Sequence, residues 1–172
     1  MQILVLALFL ALTPPAHALA EPKSGPYVDL GVGLGAGDAP FAAGLGWQAG
    51  FGWWVGPYDR SYAFGRFWSI GATLRQDWIK NSLHTAPLLE VRRGMDLFVA
   101  GGHIFFAGGP TVVGKSVGPT ARVGIGAKFR RHRFWGLTLR LEGGASYVDK
   151  VPSGQMGVLL GGSFARPIQS TK

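Results

Sequence analysis

The chain has 172 residues, with 17 Lys and Arg against 9 Asp and Glu for a formal net charge of +8, and it contains no cysteine. That length suits one domain with a core of its own, and the missing cysteine excludes disulfides, thiolate metal sites and a lipidated N-terminal Cys. Glycine is abundant at 28 residues, but hydrophobic residues make up 47% and there is no Gly-X-Y period, so the chain is neither collagen-like nor disordered.

Residues 3–12, ILVLALFLAL, are an unbroken apolar run ended by Pro14 and Pro15. Ten residues as a helix reach about 15 Å, roughly half of a bilayer core. Small residues suited to cleavage follow in Ala16-His17-Ala18 and Ala18-Leu19-Ala20. Residues 1–20 therefore read as a secretory signal peptide, although no Lys or Arg precedes the run. Residues 21–172 read as a single exported domain.

Beyond residue 21 the recurring period is two, the period of a strand with two unlike faces. Frequent glycines also argue against helices, at about 1 kcal/mol each relative to Ala. Eight segments are expected, at about 26–36, 41–55, 62–78, 83–92, 95–106, 119–130, 134–148 and 155–166. In the first, Val28, Leu30, Val32 and Leu34 oppose Tyr27, Asp29, Gly31 and Gly33. The second sets Leu45, Trp47, Phe51 and Trp53 against Gly44, Gly46, Gln48 and Gly50. The third sets Trp68, Ile70 and Leu74 against Ser69, Thr73, Arg75 and Asp77. The fourth sets Leu89 and Val91 against His84, Glu90 and Arg92, and its Pro87 requires a bulge or a locally unpaired position.

The fifth segment changes parity partway: Asp96 marks even positions as polar, whereas Phe98, Ile104 and Phe106 are even and apolar. A bulge at Gly101-Gly102 would reconcile the two halves. The sixth alternates Val123, Ile125 and Phe129 with Arg122, Gly124 and Lys128. The seventh alternates Leu137, Leu139 and Leu141 with Thr138, Arg140 and Glu142, and the eighth Met156, Val158 and Leu160 with Gly157, Gly161 and Ser163. Eight strands in meander order, joined by Gly-, Pro-, Asp- and Asn-bearing turns, predict an all-β, antiparallel up-and-down barrel.

The content of the polar face indicates which side is inward. It holds small residues plus Asp29, Asp77, Glu90, Asp96 and Glu142 against Arg75, Arg92, Arg122, Lys128 and Arg140. Buried charges must be paired, and a balanced set beside glycines suits the cramped lumen of an eight-stranded barrel. The apolar face would then meet lipid. Tyr27, Trp53, Trp54, Trp68, Trp78, Phe105, Trp135, Tyr147 and Phe164 are the expected aromatic girdle at the two bilayer interfaces.

Strand number, alternation and leader together make residues 26–166 resemble the small eight-stranded outer-membrane barrels of Gram-negative bacteria, of OmpA-transmembrane and OmpX-like architecture. The resemblance implies a transmembrane barrel in the outer membrane with lipopolysaccharide and anionic phospholipid as neighbours. Two features depart from that pattern: the last aromatic, Phe164, is followed by ARPIQSTK, and the connections are short.

Gly109-x-x-x-x-Gly114-Lys115-Ser116 matches a phosphate-binding loop in letters, but such a loop needs a helix after it. Here Gly118, Pro119, Gly124 and Gly126 follow, so the stretch is expected to be an outward-facing loop between strands five and six, the longest on its side, with no nucleotide. Ser82 and His84 share a strand face and are the candidates for a lipid A-modifying acyl hydrolase. The other alternative is a soluble periplasmic, lipocalin-like binder of an apolar ligand. No metal-ligand spacing and no cofactor motif appear, and export argues against nucleic acid as the target of the basic excess. The leading expectation is a non-enzymatic integral outer-membrane protein with a plugged, charge-paired lumen and a structural, anchoring or small-ligand role.

Overall fold

The computed structural model describes residues 22–37, 42–57, 64–79, 82–97, 100–130 and 135–165; the expected leader lies outside them. Eight antiparallel strands form a closed barrel in chain order. They are β1 (Pro22–Gly37), β2 (Ala42–Pro57), β3 (Phe64–Ile79), β4 (Ser82–Leu97), β5 (Ala100–Val113), β6 (Ser116–Arg130), β7 (Trp135–Val148) and β8 (Val151–Ala165). Closure comes from β1 pairing with β8, from Tyr27↔Ala165 to Gly37↔Gln155. With every strand paired on both sides, no sheet edge is left open, a condition for backbone to cross lipid.

The alternation read from the sequence is the alternation of burial. Leu89 is 72% exposed, Leu45 70% and Phe51 67%, all pointing away from the barrel, while Arg75 and Glu90 are 1% exposed inside it. This inverts a water-soluble barrel, and the polar interior overturns the lipocalin-like alternative.

The fifth segment is corrected. Its parity change reflects a chain reversal and not a bulge: β4 runs on through Asp96 to Leu97, and β5 starts at Ala100. Met95↔Gly102, Gly94↔His103 and Arg92↔Phe105 then pair without interruption. The loop expected over the Gly109–Ser116 stretch is corrected too. β5 continues to Val113, which pairs with Ser116 of β6, so a two-residue turn of Gly114 and Lys115 replaces the expected long loop. Gly114 adopts φ +61°, as the first position of a type II′ hairpin turn requires. The β7–β8 turn at the same rim places Asp149 at φ 52° and Lys150 at φ 64°, the both-positive pattern of type I′. The Ser116 hydroxyl donates to the Asp149 carboxylate, tying the two turns together.

Pro87 takes the unpaired option. Thr85↔Val112 and Leu89↔Gly108 share one register, but the three residues between on each strand are unpaired. In that register Pro87 faces Pro110. Neither has an N–H to donate, so the ladder lapses there without a bulge.

Candidate functional site

The most organised chemistry in the molecule is inside the barrel. Alternate positions of β1, β3, β4, β6 and β7 send charged side chains into one lumen, where Arg75, Arg92, Arg122 and Arg140 meet Asp29, Asp77, Glu90 and Glu142. In this network four cations face four anions, and Lys128, bonded to Ser163, adds a fifth cation to the described lumen. Toward the mouth away from the termini, Arg75 Nη2 lies 2.5 Å from Asp77 Oδ1 and 3.5 Å from Glu142 Oε1. Arg122 donates to Asp77 at 2.9 Å, to Glu142 at 2.7 Å and to Gln155 Oε1 at 2.6 Å. Nearer the termini, Arg92 pairs with both Asp29 and Glu90, and Arg140 reaches the two Glu90 oxygens at 3.0 and 3.3 Å. A 3.9 Å contact from Arg140 to Glu142 joins the halves.

Glycines on the inward face provide the room. A Cβ on Gly46 would lie 2.2 Å from Asp77 Oδ1, and one on Gly126 would lie 2.2 Å from the His103 ring. The same device seats two aromatics that had been expected on the outer wall. Tyr27 is buried in the lumen, its ring against the paired glycines of β2 and β3, where added Cβ atoms would come within 2.8 Å on Gly52 and 2.4 Å on Gly71. Phe105 is also buried, beside Gly124. Both rings carry cations: the Arg92 guanidinium sits 4.7 Å from the Tyr27 centroid and that of Arg140 3.8 Å from the Phe105 centroid. Trp54 shares the inward parity of Gln48 and Gly50 and is half-buried. These three leave the expected girdle because parity, rather than residue type, fixes the face of a strand residue. Trp53, Trp68, Trp78, Trp135, Tyr147 and Phe164 lie exposed on the outer wall.

Lys128 donates to Ser163 at 3.2 Å, and the Asp96 side chain lies outside the described residues. Gln155 and Thr73, whose hydroxyl reaches Glu90 at 3.5 Å, join the charges without having been singled out. Their parity was the available signal. Arg93, which falls between the expected segments 83–92 and 95–106, belongs to β4 and packs outside, 4.8 Å from the Trp68 ring centroid.

Ser82 and His84 share the inward parity of Ala86 and sit at the mouth away from the termini, not on the lipid wall. His84 lies opposite Asp77 in register, but that carboxylate is held by Arg75 and Arg122. A lipid acyl group would have to enter the mouth to meet this pair.

No protein-family profile and no curated protein sequence matches the chain. Solved structures resemble it in shape. Neisserial surface protein A is 11% identical, with a TM-score of 0.50 over 81% of this chain and 96% of that one. The outer-membrane enzyme PagL is 15% identical, with a TM-score of 0.45 over 79% and 98%. Ail of Yersinia pestis is 12% identical, with a TM-score of 0.37 over 85% and 100%. At such identities the likeness concerns the fold alone, and that fold is the eight-stranded barrel of small outer-membrane proteins.

Proposed function

We propose that the chain is exported by its N-terminal apolar segment and resides in the outer membrane as a non-enzymatic integral barrel. Its role is structural, anchoring or small-ligand binding, with lipopolysaccharide and anionic phospholipid as neighbours. One observation carries this reading: the charged residues neutralise one another inside while Leu, Val, Ile and Trp cover the outside. Such a surface is stable against hydrocarbon and aggregates in water. The packed lumen favours a plug over a pore.

Membrane fractionation tests it. The protein stays in the outer-membrane pellet through a sodium carbonate wash, and after detergent extraction it migrates faster on gels unheated than boiled. Release by carbonate overturns the reading. His84→Ala leaves the lipid A acylation profile of the producing strain unchanged; loss of a deacylated species on that substitution would establish the hydrolase instead.

A further inference from the structure

The lapse in the β4–β5 ladder opens onto a groove of about 620 Å³ in the outer wall. Val28, Phe51, Leu74, Pro87, Leu89 and Pro110 line it, together with Ala72 and Gly108. Three features set it apart from the rest of the wall. The opposed prolines remove the main-chain bonds that would draw the strands together. Gly108 keeps its base open: a Cβ there would meet only ordinary contacts at 3.8 and 3.9 Å. Behind it lies the apolar cluster of the lumen, Ala86, Leu88, Phe105 and Ala107.

The same strand supplies a headgroup contact. Arg93 lies on the outward face of β4, four residues from Leu89, about 13 Å along the strand at ~3.3 Å per residue. Half of a hydrocarbon core is about 15 Å. Arg93 stacks on Trp68 at the rim that carries the termini, and a stacked guanidinium keeps its N–H edge free for a phosphate. An acyl chain descending from a phosphate held there passes Val91 and Leu89 and ends in the groove.

We propose that this groove and Arg93 together bind one glycerophospholipid, with the phosphate on the arginine and an acyl chain seated across the Pro87–Pro110 lapse. The proposal rests on the membrane reading above. It names the lipid class and the leaflet, the one on the side of the termini.

The test uses the full chain reconstituted in vesicles of phosphatidylethanolamine and phosphatidylglycerol, a fraction of which carries a diazirine on the acyl chain. After irradiation, adducts concentrate on peptides containing Leu74, Leu89 and Gly108. Gly108→Phe and Ala72→Phe fill the groove and each lowers those adducts at least fivefold. Gly143→Phe, on β7 with similar free space (nearest atom 3.9 Å), leaves them unchanged. Arg93→Ala reduces them as well. The heat-dependent gel shift verifies that each variant is folded, and two filling variants guard against one misfolding. Adducts spread evenly around the wall and indifferent to both fillings overturn the groove alone. Adducts absent from the entire wall overturn the membrane reading with it. Displacement by an equimolar amount of lipopolysaccharide overturns the assignment to a phospholipid.

Discussion

Glu90 shows what one buried residue carries. It is 1% exposed and accepts from Arg92, Arg140 and Thr73. Removing one partner of a buried ion pair leaves an uncompensated charge, typically at a cost of 3–5 kcal/mol. Glu90→Ala is therefore expected to lower the unfolding free energy by about that amount, measured by urea titration of the barrel in vesicles. Ile125→Ala, on the lipid wall of β6, costs less, because it forfeits only the transfer of a few carbons from water to hydrocarbon and fluid lipid fills the space left behind. The charged positions were legible in the sequence because each falls on the small-residue parity of its strand. Tyr27 and Phe105 obey the same parity but were assigned by type, since aromatics favour interfaces. What the sequence did not display is the cross-strand company: the glycines receiving Tyr27 sit on β2 and β3, and only the register brings them under the ring.

Strand identities survived the comparison better than strand ends. Parity is robust over five or six residues, whereas a strand end inside an apolar stretch leaves almost no local trace. Leu97-Phe98-Val99-Ala100 holds no Gly, Pro, Asn or Asp, so the reversal there was invisible. At the other end of β5, glycines and prolines were abundant and suggested a loop, yet Pro110 and Pro119 face each other within paired strands. The β5–β6 hairpin has its own test. An L-residue in the left-handed region costs about 1–2 kcal/mol, so Gly114→Ala lowers stability by roughly that much. Lys115→Ala changes it by less than about 0.5 kcal/mol. Neither wild type nor Lys115→Ala takes up a fluorescent ATP analogue in equilibrium binding, since the lysine caps a hairpin instead of opening a helix.

At the scale of the whole molecule, balanced charge and a filled interior predict the absence of steady ionic current when the protein is inserted in a planar bilayer; reproducible unitary steps would contradict a plugged lumen. The pairings have a consequence for assembly as well. Asp29 and Arg92 belong to β1 and β4, Asp77 and Arg122 to β3 and β6, Glu90 and Arg140 to β4 and β7. No two of these partners sit on neighbouring strands, so a growing hairpin cannot make these three pairs. Before the first and last strands meet, each ion has at most a partner on its own or the next strand, as in Arg75–Asp77, Arg92–Glu90 and Arg122–Glu142, and the sheet must roll up before the pairs that cross the lumen form. The cross-lumen pairs thus work as a clasp that engages on circularisation, locking together local pairs already made and favouring the shut barrel over half-built intermediates.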